Sequence, residues 1–122
     1  VQVTIDKKPS YDSDDMKVTL AGSELKAIGK TLLAERTNGE SIGFLRFMGS
    51  GRAQFADKLN EMMRTGDGVS AWFLKAIDAI ARSNGGVQTF SIEGRTWAEL
   101  DTLDDYEIVK SLFGKPRLSV VG

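Results

Sequence analysis

Read for alternation and periodicity, the chain divides into short extended runs and amphipathic helices. In VQVTID, Val1, Val3 and Ile5 alternate with polar residues, the period-two pattern of a half-buried strand. KKPSYDSDD (7–15) breaks it with Pro9 and turn-forming acids, so a loop is expected there. MKVTLA (16–21) reads as a second strand. Its simplest partner is the first strand, in an antiparallel hairpin across a loop that is long for one. Ser23 is placed to cap a helix over 24–36, where Leu25, Ile28, Leu32 and Leu33 fall on one face and Thr37-Asn38-Gly39 ends the run. ESIGFLRFMGSG (40–51) fits either a strand with a glycine-rich exit or a short helical turn.

Two helices are predicted next. Residues 52–64 align Phe55, Ala56, Leu59, Met62 and Met63; residues 69–83 align Val69, Trp72, Phe73, Ala76, Ile77 and Ile80. That second stripe puts Trp72 in the core, with Lys75, Asp78 and Arg82 opposite and Leu74 off the stripe. TGDG (65–68) joins the two helices tightly with Asp67 as N-cap, and SNGG (83–86) ends the second. VQTFSIE (87–93) alternates as a strand, and TWAELDTL (96–103) is expected to begin as one. Asp104 with Glu107 then caps a helix over 105–113 that turns Tyr106, Val109, Leu112 and Phe113 inward. Gly114 and Pro116 stop it, and RLSVV (117–121) reads as a last strand. Strands and helices mixed without a regular βαβ period predict an α+β fold. We expect a single domain over 1–122, a small, mostly antiparallel sheet with about four helices packed against it.

Composition narrows the chemistry. A chain of 122 residues with 41% hydrophobic and 27% charged residues can bury a core without a metal or disulfide. It contains no cysteine and no histidine. Thiolate nucleophiles, Cys or His zinc sites and Ser-His or Cys-His catalysis are therefore excluded, and the commonest general base is missing. A net charge of −1 argues against bulk nucleic acid or an anionic membrane as the main partner. The longest apolar runs, such as AWFL (71–74), cannot span a bilayer, and VQVTIDKK has no signal-peptide character. A cytoplasmic protein is the expectation.

Several stretches invite a functional reading. In MKVTLAGSELKAIGKT the parts of a phosphate-binding loop occur in order, but six residues instead of four separate Gly22 from Gly29. No nucleotide or other cofactor is expected. TGDG between two helices suggests helix-turn-helix, yet the second helix is too apolar to face bases. DSDD (12–15) lacks the glycine and distal glutamate of a calcium loop, so no metal is expected. GFLRFMGSGR is the strongest candidate binding stretch. It sets Phe44, Arg46, Phe47, Gly49, Gly51 and Arg52 in a run free of acids from Ser41 to Ala56, at a predicted helix start that favours anions. The second candidate is an acidic face of Glu99, Asp101, Asp104, Asp105 and Glu107, suited to solvent or to a basic partner.

With no catalytic residues identified, these features predict a small non-enzymatic binding or regulatory protein (an inhibitor, adaptor or assembly factor) acting through a surface for another protein. The alternative is a nucleic-acid or anion binder using the Arg46/Arg52 stretch. A weaker alternative is a structural subunit of a larger assembly, such as a phage particle; self-association is a further expectation for the apolar surface that the 69–83 helix offers.

Overall fold

The structure, a computed structural model, describes residues 1–66 and 68–114. Five strands, β1 (Gln2–Asp6), β2 (Lys17–Ala21), β3 (Glu24–Gly29), β4 (Gly39–Arg46) and β5 (Gln88–Ser91), form a closed barrel in the order β1-β4-β2-β3-β5. Three α-helices accompany it: α1 (Gly51–Met63), α2 (Leu74–Ser83) and α3 (Leu103–Phe113). Short 3-10 turns occupy Ala34–Arg36 and Gly68–Ser70.

The α+β class stands, with two differences. There are three helices among the described residues rather than four, and the sheet closes on itself through a parallel seam between β1 and β5. The predicted β1–β2 hairpin does not form: β1 lies between β4 and β5, and β2 pairs with β3 and β4. The ambiguous 40–51 stretch resolves as strand β4 followed by the start of α1.

The missing helix is the predicted 24–36. Gly22 adopts a left-handed φ of 61° and turns the chain back, so that Glu24–Gly29 pairs antiparallel with β2 instead of coiling. Leu25 and Ile28 are buried as predicted, but from a strand, while Leu33 is more than half exposed. The spacing of Leu25 and Ile28 suits a helix face; a register shift in the β2–β3 ladder lets a strand bury both.

The core consists of Val3, Ile5, Val18, Leu25, Ile28, Leu74, Ile77, Ile80, Ala81 and Val87. Helix α2 supplies Leu74, Ile77, Ile80 and Ala81 and packs across β3, where the Asp78 carboxylate accepts the Ile28 N–H at 2.8 Å and the Arg82 Nε–H at 2.8 Å. The predicted 69–83 helix thus begins five residues late, at Leu74; its stripe of Ala76, Ile77 and Ile80 is buried as expected, whereas Val69, Trp72 and Phe73 precede the helix and are exposed. Leu74, expected off the stripe, is buried, and Trp72, expected in the core, is 67% exposed. Helix α1 follows its predicted span and packs on α2; Phe55 stacks on Phe47 with ring centroids 4.7 Å apart, while Met63 stays exposed. Asp67 and the predicted strand at 117–121 lie outside the described residues.

The end of the described chain departs most from expectation. Residues 96–102 form no regular strand. Helix α3 begins two residues early because Thr102, not Asp104, is the cap: the Asp105 N–H donates to Thr102 Oγ1, and the Thr102 N–H to Asp105 Oδ2. None of its residues is buried, so Tyr106, Leu112 and Phe113 do not face a core.

Candidate functional site

Both tryptophans of the chain line one cleft of about 470 Å³. Trp72 sits in the turn that leads into α2, where the Lys75 N–H donates to its carbonyl at 2.9 Å. Trp97 belongs to the irregular segment before α3 and is fixed by its indole N–H, which donates to Asp6 Oδ2 at 2.7 Å. Phe73 lines it as well, and so do the exposed carboxylates Asp14, Glu99 and Asp101. A second cavity of about 420 Å³ adjoins the first, sharing Met16, Lys30, Trp72 and Leu74 and running on to Lys75 and Asp78.

The floor is a charged triad. Lys8 Nζ lies 2.7 Å from Asp15 Oδ2 and 3.3 Å from Glu40 Oε1. Glu40 projects from β4, next to Asp6 and Lys17 in the sheet, and is buried because the loop over residues 7–16 covers it. The loop keeps its shape through its own acids: Asp12 Oδ1 accepts the Asp14 and Asp15 amides, and Asp15 Oδ2 accepts the Asp12 amide. Lys17, buried on β2, donates from Nζ to the Lys30 carbonyl at 2.7 Å and to the Asp15 carbonyl at 3.4 Å, and so ties the end of β3 to the loop.

These contacts pull the titrations apart. Burial raises the Glu40 carboxyl above its ordinary value; Lys8 opposes this and the neighbouring Asp15 charge adds to it. Burial pushes Asp15 the same way, but the Lys8 and Asp12 hydrogen bonds outweigh it and hold Asp15 below its ordinary value. For Lys8, burial is likewise outweighed by Asp15 and Glu40, and its affinity for the proton rises. Lys8 is thereby committed to two carboxylates. Lys30, the other cation lining the cleft among the described residues, lies 5.2 Å over the Trp72 ring.

The structure divides the residues singled out from the sequence. In the 44–52 stretch, Phe44, Arg46 and Arg52 are exposed, whereas Phe47 is half-buried against the core. Gly49 takes a left-handed φ of 54°, and the Gly51 N–H is used within the turn by the Met48 carbonyl at 2.9 Å. Glu99 and Asp101 of the acidic face line the cleft; Asp104, Asp105 and Glu107 sit on α3. Asp105 belongs to the capping box, where the Thr102 hydroxyl and two backbone amides lower its carboxyl below the ordinary value. Glu107 faces Lys110 at 3.4 Å.

Sequence reasoning missed Lys8, Asp15, Glu40, Trp72 and Trp97 as a set. They come from four separate segments, Lys8 and Asp15 sharing one loop, and Trp72 at helical spacing resembles a core residue. The run of acids at 12–15 was the one local signal. Among the described residues no cluster of His, Cys, Asp and Glu is placed to hold a metal ion, and no helix is long and apolar enough to cross a membrane. Compared with protein families, curated proteins and solved structures, the chain matches no family model, no curated protein and no known structure.

Proposed function

We propose that this chain is a non-enzymatic binding protein that receives a basic, extended segment of a partner protein in the Trp72–Trp97 cleft. The observation that carries the reading is the pairing of exposed indole surface with carboxylates at one opening. Among the described residues Asp14, Glu99 and Asp101 have no ion-pair partner. An arginine or lysine laid on Trp72 would repeat the contact that Lys30 already makes, and the acids would steer its approach. Asp15 and Glu40 are held by Lys8 in this reading, so they serve to shape the cleft and not to transfer protons.

The test uses the tryptophans as reporters, since both lie in the cleft. A short Arg/Lys-rich peptide with glycine spacers should change the intrinsic fluorescence saturably at low salt, more weakly as ionic strength rises. The matched Asp/Glu-rich peptide should not. Trp72→Ala and Asp101→Lys should each weaken the response to the basic peptide. Equal responses to the two peptides, or none, would refute the reading.

A further inference from the structure

Two apolar surfaces of the described chain lack a partner, and they carry opposite charge. The first is α3. Leu103 is 86% exposed, and Tyr106, Ile108, Leu112 and Phe113 each keep about half their surface in water; only Asp105 and Val109 are half-buried. A helix of 11 residues is short of the ~12–15 needed for even marginal stability alone, and its capping box fixes where it starts rather than what it rests on. Its polar positions are mostly acidic: Asp104, Asp105 and Glu107 against Lys110.

The second is the outer face of β4-β1-β5. The register sets Gln2 between Arg46 and Gln88, and Thr4 beside Phe90. Because side chains alternate, Phe44 stands on the same outward face as Arg46. Phe44 is 66% exposed and Phe90 49%, while Thr4 between them is buried and Asp6, farther along that face, accepts the Trp97 indole N–H, so the open part of the face is the end that carries Phe44, Arg46 and Phe90. Arg46 and Arg52 make this end positive. No acid occurs between Ser41 and Ala56, and neither arginine has an ion-pair partner among the described residues.

We infer that the chain assembles head to tail, with α3 of one copy lying on the β4-β1-β5 face of the next. A second copy is the occupant because one contact covers both apolar surfaces and sets Asp104 and Glu107 against Arg46 and Arg52. A nucleic-acid strand would use the sheet face alone, would leave α3 uncovered, and would meet a protein of net charge −1. The two patches differ, so each added copy leaves one helix and one sheet face free. Such a contact builds rings or open chains and does not stop at a dimer. One short helix on one sheet face makes a small interface, so assembly depends on concentration.

The experiment is sedimentation velocity on nuclease-treated protein from micromolar to submillimolar concentration. The wild type should pass from monomer to species larger than a dimer. Phe44→Ser/Phe90→Ser removes the sheet face and Tyr106→Ser/Phe113→Ser removes the helix face; each variant alone should remain monomeric. Their mixture retains one intact helix and one intact face, and should stop at a one-to-one pair. If either serine variant fails to fold, Arg46→Glu/Arg52→Glu and Asp104→Lys/Glu107→Lys replace them; each should be monomeric, and mixing should restore assembly. A wild type that stays monomeric throughout, or variants that assemble like it, would overturn the inference. So would a wild type that binds a short oligo-dT strand as a monomer and loses it in Arg46→Glu/Arg52→Glu.

Discussion

Ile77→Ala is expected to be among the most costly single truncations in the chain. Ile77 has no solvent exposure and lies in the core between α2 and the barrel. Shortening it to alanine removes three carbons, worth ~2.4 kcal/mol at ~0.8 per buried carbon. The void that remains adds ~1–1.5 kcal/mol if ~50 Å³ fails to collapse. The sum is about 3.5 kcal/mol. Trp72→Ala is the internal comparison, because the spacing of apolar residues would make it the larger loss. Trp72 is 67% exposed, so about a third of its surface is lost from the packing, together with the Lys30 contact over its ring. That amounts to ~1.5 kcal/mol from area and cation–π terms. Urea unfolding of the two variants, with unchanged m-values, measures both costs directly. A Trp72→Ala loss equal to or above that of Ile77→Ala would show that Trp72 is packed into the core and that its exposed place ahead of α2 is wrong.

Three further outcomes are expected. Gly22→Ala, at a φ of 61° with open space around the added Cβ, should cost ~1–2 kcal/mol from backbone strain alone, measured by the same urea unfolding. Thr102→Ala should reduce amide protection in α3 while leaving the β-strands protected, because no α3 residue is buried and the helix can open by itself; equal loss in both would mean that α3 is coupled to the barrel. The triad should impose two opposite pH dependences. Asp15 is depressed in the folded state, so its contribution is present above the ordinary aspartate range and fades as pH falls through the folded value. The stability gap between wild type and Asp15→Asn should therefore close in acid. Glu40 is raised, so its contribution is full below the ordinary glutamate range and fades as pH rises through the folded value. The wild-type advantage over Glu40→Gln should shrink from acid toward neutral pH, and a gap that widens instead would refute the assignment of burial as the cause.

Local pattern determined a good deal of this protein. The alternation of Val1, Val3 and Ile5 placed β1, and the glycine exit before Arg52 placed the start of α1 within one residue. The composition shows that thiolate and imidazole side chains are missing from this sequence. These are properties of single residues or of neighbours along the chain, where spacing and backbone preference act directly. What needed the tertiary structure was every choice between two locally acceptable states. Leu25 and Ile28 suit a helix face as well as a strand, and the presence of β2 on one side and α2 on the other selects the strand. Spacing puts Trp72 on the apolar stripe and Leu74 off it, yet α2 starts only at Leu74, and its packing across β3 buries Leu74 and leaves Trp72 exposed. The parallel seam of β1 with β5 joins segments more than 80 residues apart, so no local period announces it. The cleft has the same origin: Lys8, Asp15, Glu40, Trp72 and Trp97 have no common spacing, and they meet because the barrel closes and the 7–16 loop folds over β4.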